Sequence, residues 1–353
     1  MQYRLRVLKL ETQIPLAQRT TLGVGGNAAH YARIEDDLEL REALAWAAAQ
    51  RIAVRVLGGG SNIVVADAGF DGLVLEMAQR GIAVTERGTS VEVRAAAGEP
   101  WDDFVSAMVA SGHQGLECLS GIPGRVGATP IQNVGAYGQD VGETITHVRA
   151  FDCLARAERT FTREECLFSY RDSFFKSREP GRFIVTEVTF RLNPNALPAI
   201  RYAELERYFA AQGQAAPSLA EVRETVIRLR RSKSMVLDAT DPNKRSCGSF
   251  FVNPVLGASE FRTFVERAHG EGDVPSFPQT DGRVKLSAGW LIEHAGLARG
   301  TRDGTVGLST KHALALVAHE GARSSDVARL AERVQAAVEA RFGVRLEREP
   351  VFW

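Results

Sequence analysis

The stretch Arg245–Pro254, RSCGSFFVNP, sets one hydroxyl, Ser249, between a glycine and two phenylalanines. Gly248 lets a ligand approach the backbone closely, and Phe250 and Phe251 can exclude water. Such a hydroxyl either hydrogen-bonds the nearest peptide or gives a proton to a reacting atom. A second stretch, FSYRDSFFK (168–176), holds Tyr170, Arg171, Asp172 and Lys176 among three phenylalanines. Its arginine forms either an ion pair with a nearby aspartate or a bidentate fork for a carboxylate ligand. Lys233 in RRSKSM and Lys285 in RVKLSAGW are either solvated or point charges for a diphosphate. Near the C-terminus, LEREP puts Glu347 and Glu349 on one face of an extended segment by the period-two rule. Either acid is surface decoration or part of a site.

Two glycine-rich segments have the character of a phosphate cradle. LGGGSN (57–62) follows the short apolar run Val54–Leu57, and consecutive glycines allow successive N–H groups to point at one anion. A hairpin turn is the alternative. In GIPGRVGATPIQNVGAYG (121–138), Gly124 and Gly127 permit close approach, and Thr129, Gln132 and Asn133 offer side-chain hydrogen bonds. An Ω-loop packed on itself is the alternative there. Two such segments in adjacent lobes suggest a long, polyphosphate-containing ligand. GVGGNA (23–28) matches G-x-G-x-x-A but lacks the buried strand before it and the helix after it, so no Rossmann site is expected.

The elements that must position these residues are partly legible. A helix is expected over EDDLELREALAWAAAQR, with Leu40, Leu44 and Ala47 on one face and acids in its first turn. PWDDFVSAMVASG reads as a second helix: Pro100 suits its start, Gly112 its end, and Trp101, Phe104, Val105 and Met108 line one face. Val54–Leu57, IVV, GLVLEM, VEVRAAAG and RFIVTEVTFRL read as strands. Ser218 and Glu221 form a capping box that opens a helix running to about Arg231. Helices are also expected over ASEFRTFVERAHG, over SAGWLIEHAG between Ser287 and Gly296, and over SSDVARLAERVQAAVEARFG. The last carries Val327, Leu330, Val334 and Val338 on one stripe and stops at Gly343. VRLEREPVFW reads as a closing strand. Irregular order of helices and strands argues for α+β rather than regular βαβ alternation.

Composition excludes several classes. The 353 residues carry 43 Lys+Arg and 43 Asp+Glu, so no basic surplus points to nucleic acid or an anionic membrane. The polar helix faces and neutral charge fit a monomer. No apolar run approaches the length of a membrane span, and the N-terminal residues lack the apolar core of a signal peptide. The four cysteines, Cys118, Cys153, Cys166 and Cys247, show no C-x-x-C spacing and no histidine cluster, so no metal site is expected. Free thiols in a reducing cytoplasm are the expectation.

Taken in order, LGGGSN, GLECLSGIPGRVGATPIQNVGAYG, FSYRDSFFK, GSFFVNP and VKLSAGWLIEHAG resemble the signature segments of the UDP-N-acetylenolpyruvoylglucosamine reductase family, from about residue 15 to the C-terminus. LGGGSN alone is shared with other flavoproteins of that FAD-binding fold, the PCMH/VAO type. The resemblance implies a two-lobed flavin domain, lobes 1–85 and 86–217, and a C-terminal α+β substrate domain, 218–343, with the strand 344–353 returning near the first lobe. It implies non-covalent FAD touching Gly58, Gly59, Gly60, Ser61, Asn62, Ile122, Gly124, Gly127 and Thr129. It implies NADPH as co-substrate, UDP-N-acetylglucosamine enolpyruvate as substrate, UDP-N-acetylmuramate as product and a cytoplasmic role in peptidoglycan synthesis. By motif position Arg171 stabilises an enolate, Ser249 donates a proton to carbon, and Glu349 is the second acid at the enolate. The family's Glu-Pro-Glu-Val reads EREPV here, with the acid spacing kept and the prolines shifted. Tyr170, Lys233, Asn253 and Lys285 match substrate contacts, and Tyr202 in IRYAEL matches the substrate-covering tyrosine of the longer type. Two rivals remain: an oxidase of the same fold and a non-catalytic nucleotide-sugar binder. No histidine lies in 57–64 or 119–138, where a covalent flavin link of some such oxidases would sit.

Overall fold

A computed structural model describes residues 8–353. The reading of the N-terminal segment therefore lies partly outside the described residues. The chain divides into two units, each with its own core.

Unit 1 takes the chain up to Ile14, then Ala28–Gly59 and Asp71–Arg231. Its first sheet orders the strands Leu10–Pro15, Asn27–Ile34, Phe70–Met77 and Ala53–Leu57, the last two parallel. Helix α1, Asp37–Gln50, starts where the Asp36 carboxylate accepts the Glu39 amide. It buries Leu40, Ala43 and Ala47 against Leu73, Leu75 and Met77; of the expected face, Leu44 is only partly buried. The second sheet is antiparallel, with strands Ala157–Thr162, Ile145–Asp152, Phe183–Pro194, Ser90–Ala96 and Ile82–Arg87 in spatial order. Helix α2, Trp101–Ala110, lies on it. Pro100 is its N-cap, and Trp101, Phe104, Val105 and Met108 are buried, with the Phe104 and Phe190 rings 5.0 Å apart.

Helix α3, Ala203–Ala211, has no counterpart among the expected elements. Helix α4, Leu219–Ser232, has the expected capping box: the Ser218 hydroxyl accepts from the Glu221 amide, and the Glu221 carboxylate accepts from Ser218 N–H. Helix α4 belongs to unit 1, since the chain changes units after Arg231. Val222 and Val226 pack with Cys118, Leu205 and Phe209, and Arg223 forms a two-bond fork with Asp102, at 2.7 and 2.9 Å. An amphipathic pattern specifies that a helix has an apolar face, not which core receives it.

Unit 2 takes Pro15–Asn27, Gly60–Phe70 and Ser232–Trp353. Helices α5 (Ala258–Arg267), α6 (Ala288–His294) and α7 (Ser324–Phe342) surround small sheets. The α7 stripe Val327, Leu330, Val334 and Val338 is buried with Leu291, Ile292, Leu308 and Leu316. Each such side chain contributes roughly 1.5–3 kcal/mol relative to exposure. Gly343 ends α7 in the left-handed region, as expected. GVGGNA leads into a strand, not a helix, and a Cβ at Gly25 would come 2.6 Å from the Val65 carbonyl oxygen. These glycines serve close backbone packing.

The closing strand is shorter than the sequence suggests. Only Val351–Phe352 pairs regularly, parallel to Ile63–Val64, with an isolated bridge between Phe251 and Arg348. Pro350 has no amide to continue the ladder. Among the described residues, no helix is long and apolar enough to cross a membrane. The four cysteines are free thiols, Cys153 half-buried and the others buried.

Candidate active site

In unit 1 the two glycine-rich segments meet through their backbones. A Cβ on Gly59 would lie 2.6 Å from the Gly124 Cα, and one on Gly58 would touch the Ala128 Cβ at 3.4 Å. The second segment is pinned from beneath: Trp101 N–H donates to Gly124, Val126 N–H to Glu99 and Gly127 N–H to Ala97 carbonyls. A Cβ on Gly127 would meet Ala97 at 2.5 Å. Glycine is required at this seam because any side chain pushes the loops apart. Thr129 is buried and its hydroxyl donates to the Val126 carbonyl, 2.8 Å, inside its own turn. Asn133 is also used internally, its amide reaching the Ser169 carbonyl and its oxygen accepting from Gly142 N–H. Ile122 packs partly buried against the unit 1 core.

Those bonds of Asn133 join the glycine segment to the turn that carries Arg171. Arg171 sits at φ 55, a left-handed conformation that only local restraint sustains in a non-glycine residue. Ser169 and Asp172 exchange backbone hydrogen bonds around it, and the Lys176 ammonium donates to its carbonyl at 2.6 Å. Its guanidinium donates to the Gly135 carbonyl at 2.5 Å, lies 3.7 Å from the Asp140 carboxylate and 5.4 Å from the Tyr170 ring. The arginine side chain is four-fifths buried, with the half-exposed Asp140 among its neighbours.

In unit 2 the Ser249 turn is built between two ladders. Phe250 N–H donates to the Leu314 carbonyl at 2.7 Å, and its own carbonyl accepts from Glu349 N–H at 2.9 Å. Val252 N–H donates to the Glu347 carbonyl at 3.0 Å. This register sets Glu349, rather than Glu347, beside the serine turn. The two acids do not share an environment: Glu347 is exposed and Glu349 half-buried. Asn62 bonds the segment after Glu347, its amide donating to the Glu349 carbonyl at 3.3 Å while its own carbonyl accepts from Val351 N–H. Gly60, Ser61 and Asn62 therefore share a unit with Ser249 and Glu349. Phe250 and Phe251 are fully buried, Ser249 half-buried, and Gly248 has φ 74. Burial pushes the Cys247 thiol up to about 12, so it stays protonated and unreactive.

Asn253 has a task of its own: its side-chain oxygen accepts from Ala288 N–H at 2.9 Å, beside the Ser287 cap at the start of α6. Lys285 lies on the strand Val284–Leu286, its ammonium 6.0 Å from the Phe277 ring centre. Lys233 follows the last residue of α4 and is half-buried.

Residues 28–160 match a family model described as FAD binding domain, and residues 241–353 one described as UDP-N-acetylenolpyruvoylglucosamine reductase, C-terminal domain. The chain is 48% identical over 345 residues to the UDP-N-acetylenolpyruvoylglucosamine reductase of Thermobifida fusca, covering 96% of each chain. The chain belongs to the UDP-N-acetylenolpyruvoylglucosamine reductase family. The Azoarcus sp. member is 45% identical over 354 residues and 98% of each chain. The solved structure of the reductase from Thermus caldophilus aligns with 98% of this chain and 100% of its own, at a TM-score of 0.67 and 27% identity. The fold is accordingly the expected α+β one, an FAD binding domain followed by the reductase C-terminal domain.

The glycine seam lies within residues 28–160, the part matched by the FAD binding domain model, and a side chain there would push its two loops apart. In this family member, Gly59→Ala is expected to fold yet lose its yellow colour. Overpacking costs about 1–3 kcal/mol, and where the loops part to relieve it, retention of FAD weakens by roughly five- to a hundred-and-fiftyfold. Flavin content per protein, read from absorbance, tests this; a variant with parental FAD content would show that the seam does not hold the cofactor.

Two residues of unit 1 near these groups, Tyr137 and Arg230, were not among the expected site residues, whereas Tyr202 was. Tyr202 is 42% exposed at the start of α3, and its ring meets Tyr137 edge-on at 5.3 Å. Arg230 lies close enough for its charge to act on Tyr137, Asp102 and Arg171, and desolvation lowers it to about 10. Tyr137 was within a quoted glycine-rich motif and Arg230 within a quoted basic one. Nothing local separated them from their neighbours.

Proposed function

We propose that this chain reduces UDP-N-acetylglucosamine enolpyruvate to UDP-N-acetylmuramate, with NADPH as the reductant and non-covalent FAD as the carrier, in the cytoplasmic phase of peptidoglycan precursor synthesis. The observation that carries the reading is the ladder that sets a half-buried Glu349, and not Glu347, beside the Ser249 turn. Gly58–Asn62, Ile122, Gly124, Gly127 and Thr129 are the residues that would hold FAD, which when bound would supply hydride chemistry to the enolpyruvyl group.

The protein's own residues handle the charge and the proton. Adding hydride to an enol ether conjugated with a carboxylate sends an electron pair toward that carboxylate as an enolate. Arg171, preorganised by its left-handed turn, faces this charge as a fixed donor. Glu349, as the protonated acid, donates a hydrogen bond to the enolate oxygen. Ser249 then gives its proton to the carbon bearing the ether oxygen. A hydroxyl is a weak acid in water, but a carbanion-like carbon is a strong base, and Phe250 and Phe251 keep water from competing. Tyr170, Lys233, Asn253 and Lys285 bind the nucleotide-sugar diphosphate and sugar, and Tyr202 covers it.

The test is one anaerobic absorbance titration. The yellow protein is expected to bleach with NADPH and to recolour stoichiometrically with the enolpyruvyl nucleotide. Recolouring only with air would replace the reading by a flavin oxidase. A protein that remains colourless after incubation with FAD would overturn any flavin reading.

A further inference from the structure

Ser234 stands at φ 57, immediately after Lys233. A β-hydroxy residue in the left-handed region costs on the order of 1–2 kcal/mol and persists only where its surroundings hold it. They do so here through buried polar groups of unit 2. The Ser234 hydroxyl donates to Asp241 Oδ1 at 3.0 Å and accepts from the Asn243 amide at 3.2 Å. Asp241, 7% exposed, also accepts Asn243 N–H at 2.8 Å on the same oxygen and the Lys311 ammonium at 2.9 Å on the other. The Asn243 side chain, in turn, accepts Thr310 N–H at 3.1 Å and reaches the Thr310 hydroxyl at 3.0 Å.

The far end of this network lies on the segment that supports the proton donor. Thr310 and Lys311 precede Leu314, whose carbonyl receives Phe250 N–H beside Ser249. One short stretch, 309–314, therefore anchors the turn after Lys233 and the turn that presents Ser249.

We propose that Asp241 is a positioning residue. It locks Ser234 in its left-handed conformation and thereby fixes Lys233 relative to Ser249, so that the lysine meets the diphosphate of the nucleotide sugar while the serine meets the reacting carbon. This rests on the reading of Lys233 as the diphosphate cation. The polar pair Lys311–Asp241 supplies the restraint, and Asn243 transmits it to the 309–314 segment.

The experiment is a double-mutant cycle on enzyme reduced with NADPH and mixed with enolpyruvyl nucleotide in a stopped-flow instrument. Asp241→Asn is expected to raise the apparent Kd about tenfold or more and to leave the limiting rate within about twofold. In a Lys233→Met background the same change is expected to add nothing, because the residue through which it acts is gone. Ser234→Ala, which removes one hydroxyl and keeps the ion pair, provides the same cycle if Asp241→Asn does not fold. Equal effects with and without Lys233 would overturn the proposal and leave Asp241 a structural residue. A normal Kd in Lys233→Met alone would overturn the reading of Lys233, and the proposal with it.

Discussion

Ser249→Ala is bleached by NADPH at the parental rate, but its reoxidation by enolpyruvyl nucleotide slows by roughly a hundred- to ten-thousandfold. That range is the typical contribution of a positioned general acid. The substitution removes one hydroxyl from a half-buried turn whose backbone is held by Leu314 and Glu349, so the fold should remain intact. Cys247 cannot stand in for the lost proton donor. It is buried in the unit 2 core, with its thiol pushed up to about 12. Two rates measured on one sample decide the matter. Parental reoxidation in the alanine variant would remove Ser249 from the mechanism, and equal slowing of both half-reactions would assign it to binding or folding.

Arg171→Lys carries the second large effect: reduction of the enolpyruvyl group slows by about a hundred- to a thousandfold, the usual cost of one lost preorganised donor. The charge is kept, so any deficit reports geometry. Arginine presents a planar fork, and this one is already oriented by the Gly135 carbonyl, the Asp140 carboxylate and the Tyr170 ring. A lysine ammonium is a flexible point charge that cannot span the same directions. The variant should keep its FAD and its rate of bleaching by NADPH. A lysine variant reducing the nucleotide at the parental rate would show that charge alone suffices, and the argument from the strained turn would fail.

The parts of this protein that could be read in advance are those set within a few residues. The cap formed by Ser218 and Glu221 spans one turn, as does Ser287 with Trp290, and the structure has both. The stripe on α7 and the buried face of α2 follow from the 3.6-residue period alone. The glycine segments and the Ser249 and Arg171 motifs were also visible as residue types at fixed spacing, and their combined order pointed to the family to which the chain belongs.

Pairings between distant segments were not visible. Periodicity marked α4 as amphipathic, but the Arg223–Asp102 fork and the Cys118 cluster assigned it to unit 1. Spacing placed Glu347 and Glu349 on one face, whereas the ladder to Phe250 and Val252, interrupted at Pro350, leaves one exposed and the other half-buried. Glycine content suggested a cradle, but the contact of Gly59 with Gly124 depends on where two remote loops are carried. The strained Ser234 had no sequence signal, because serine is favoured in many turns and its conformation here is imposed by Asp241 and Asn243. Local preference is decided by a residue's immediate neighbours and amounts to a few tenths of a kcal/mol to about 1 kcal/mol. Which elements meet, in what register and under what strain, is decided by burial and hydrogen bonding between segments far apart in the chain, where those local energies are outweighed.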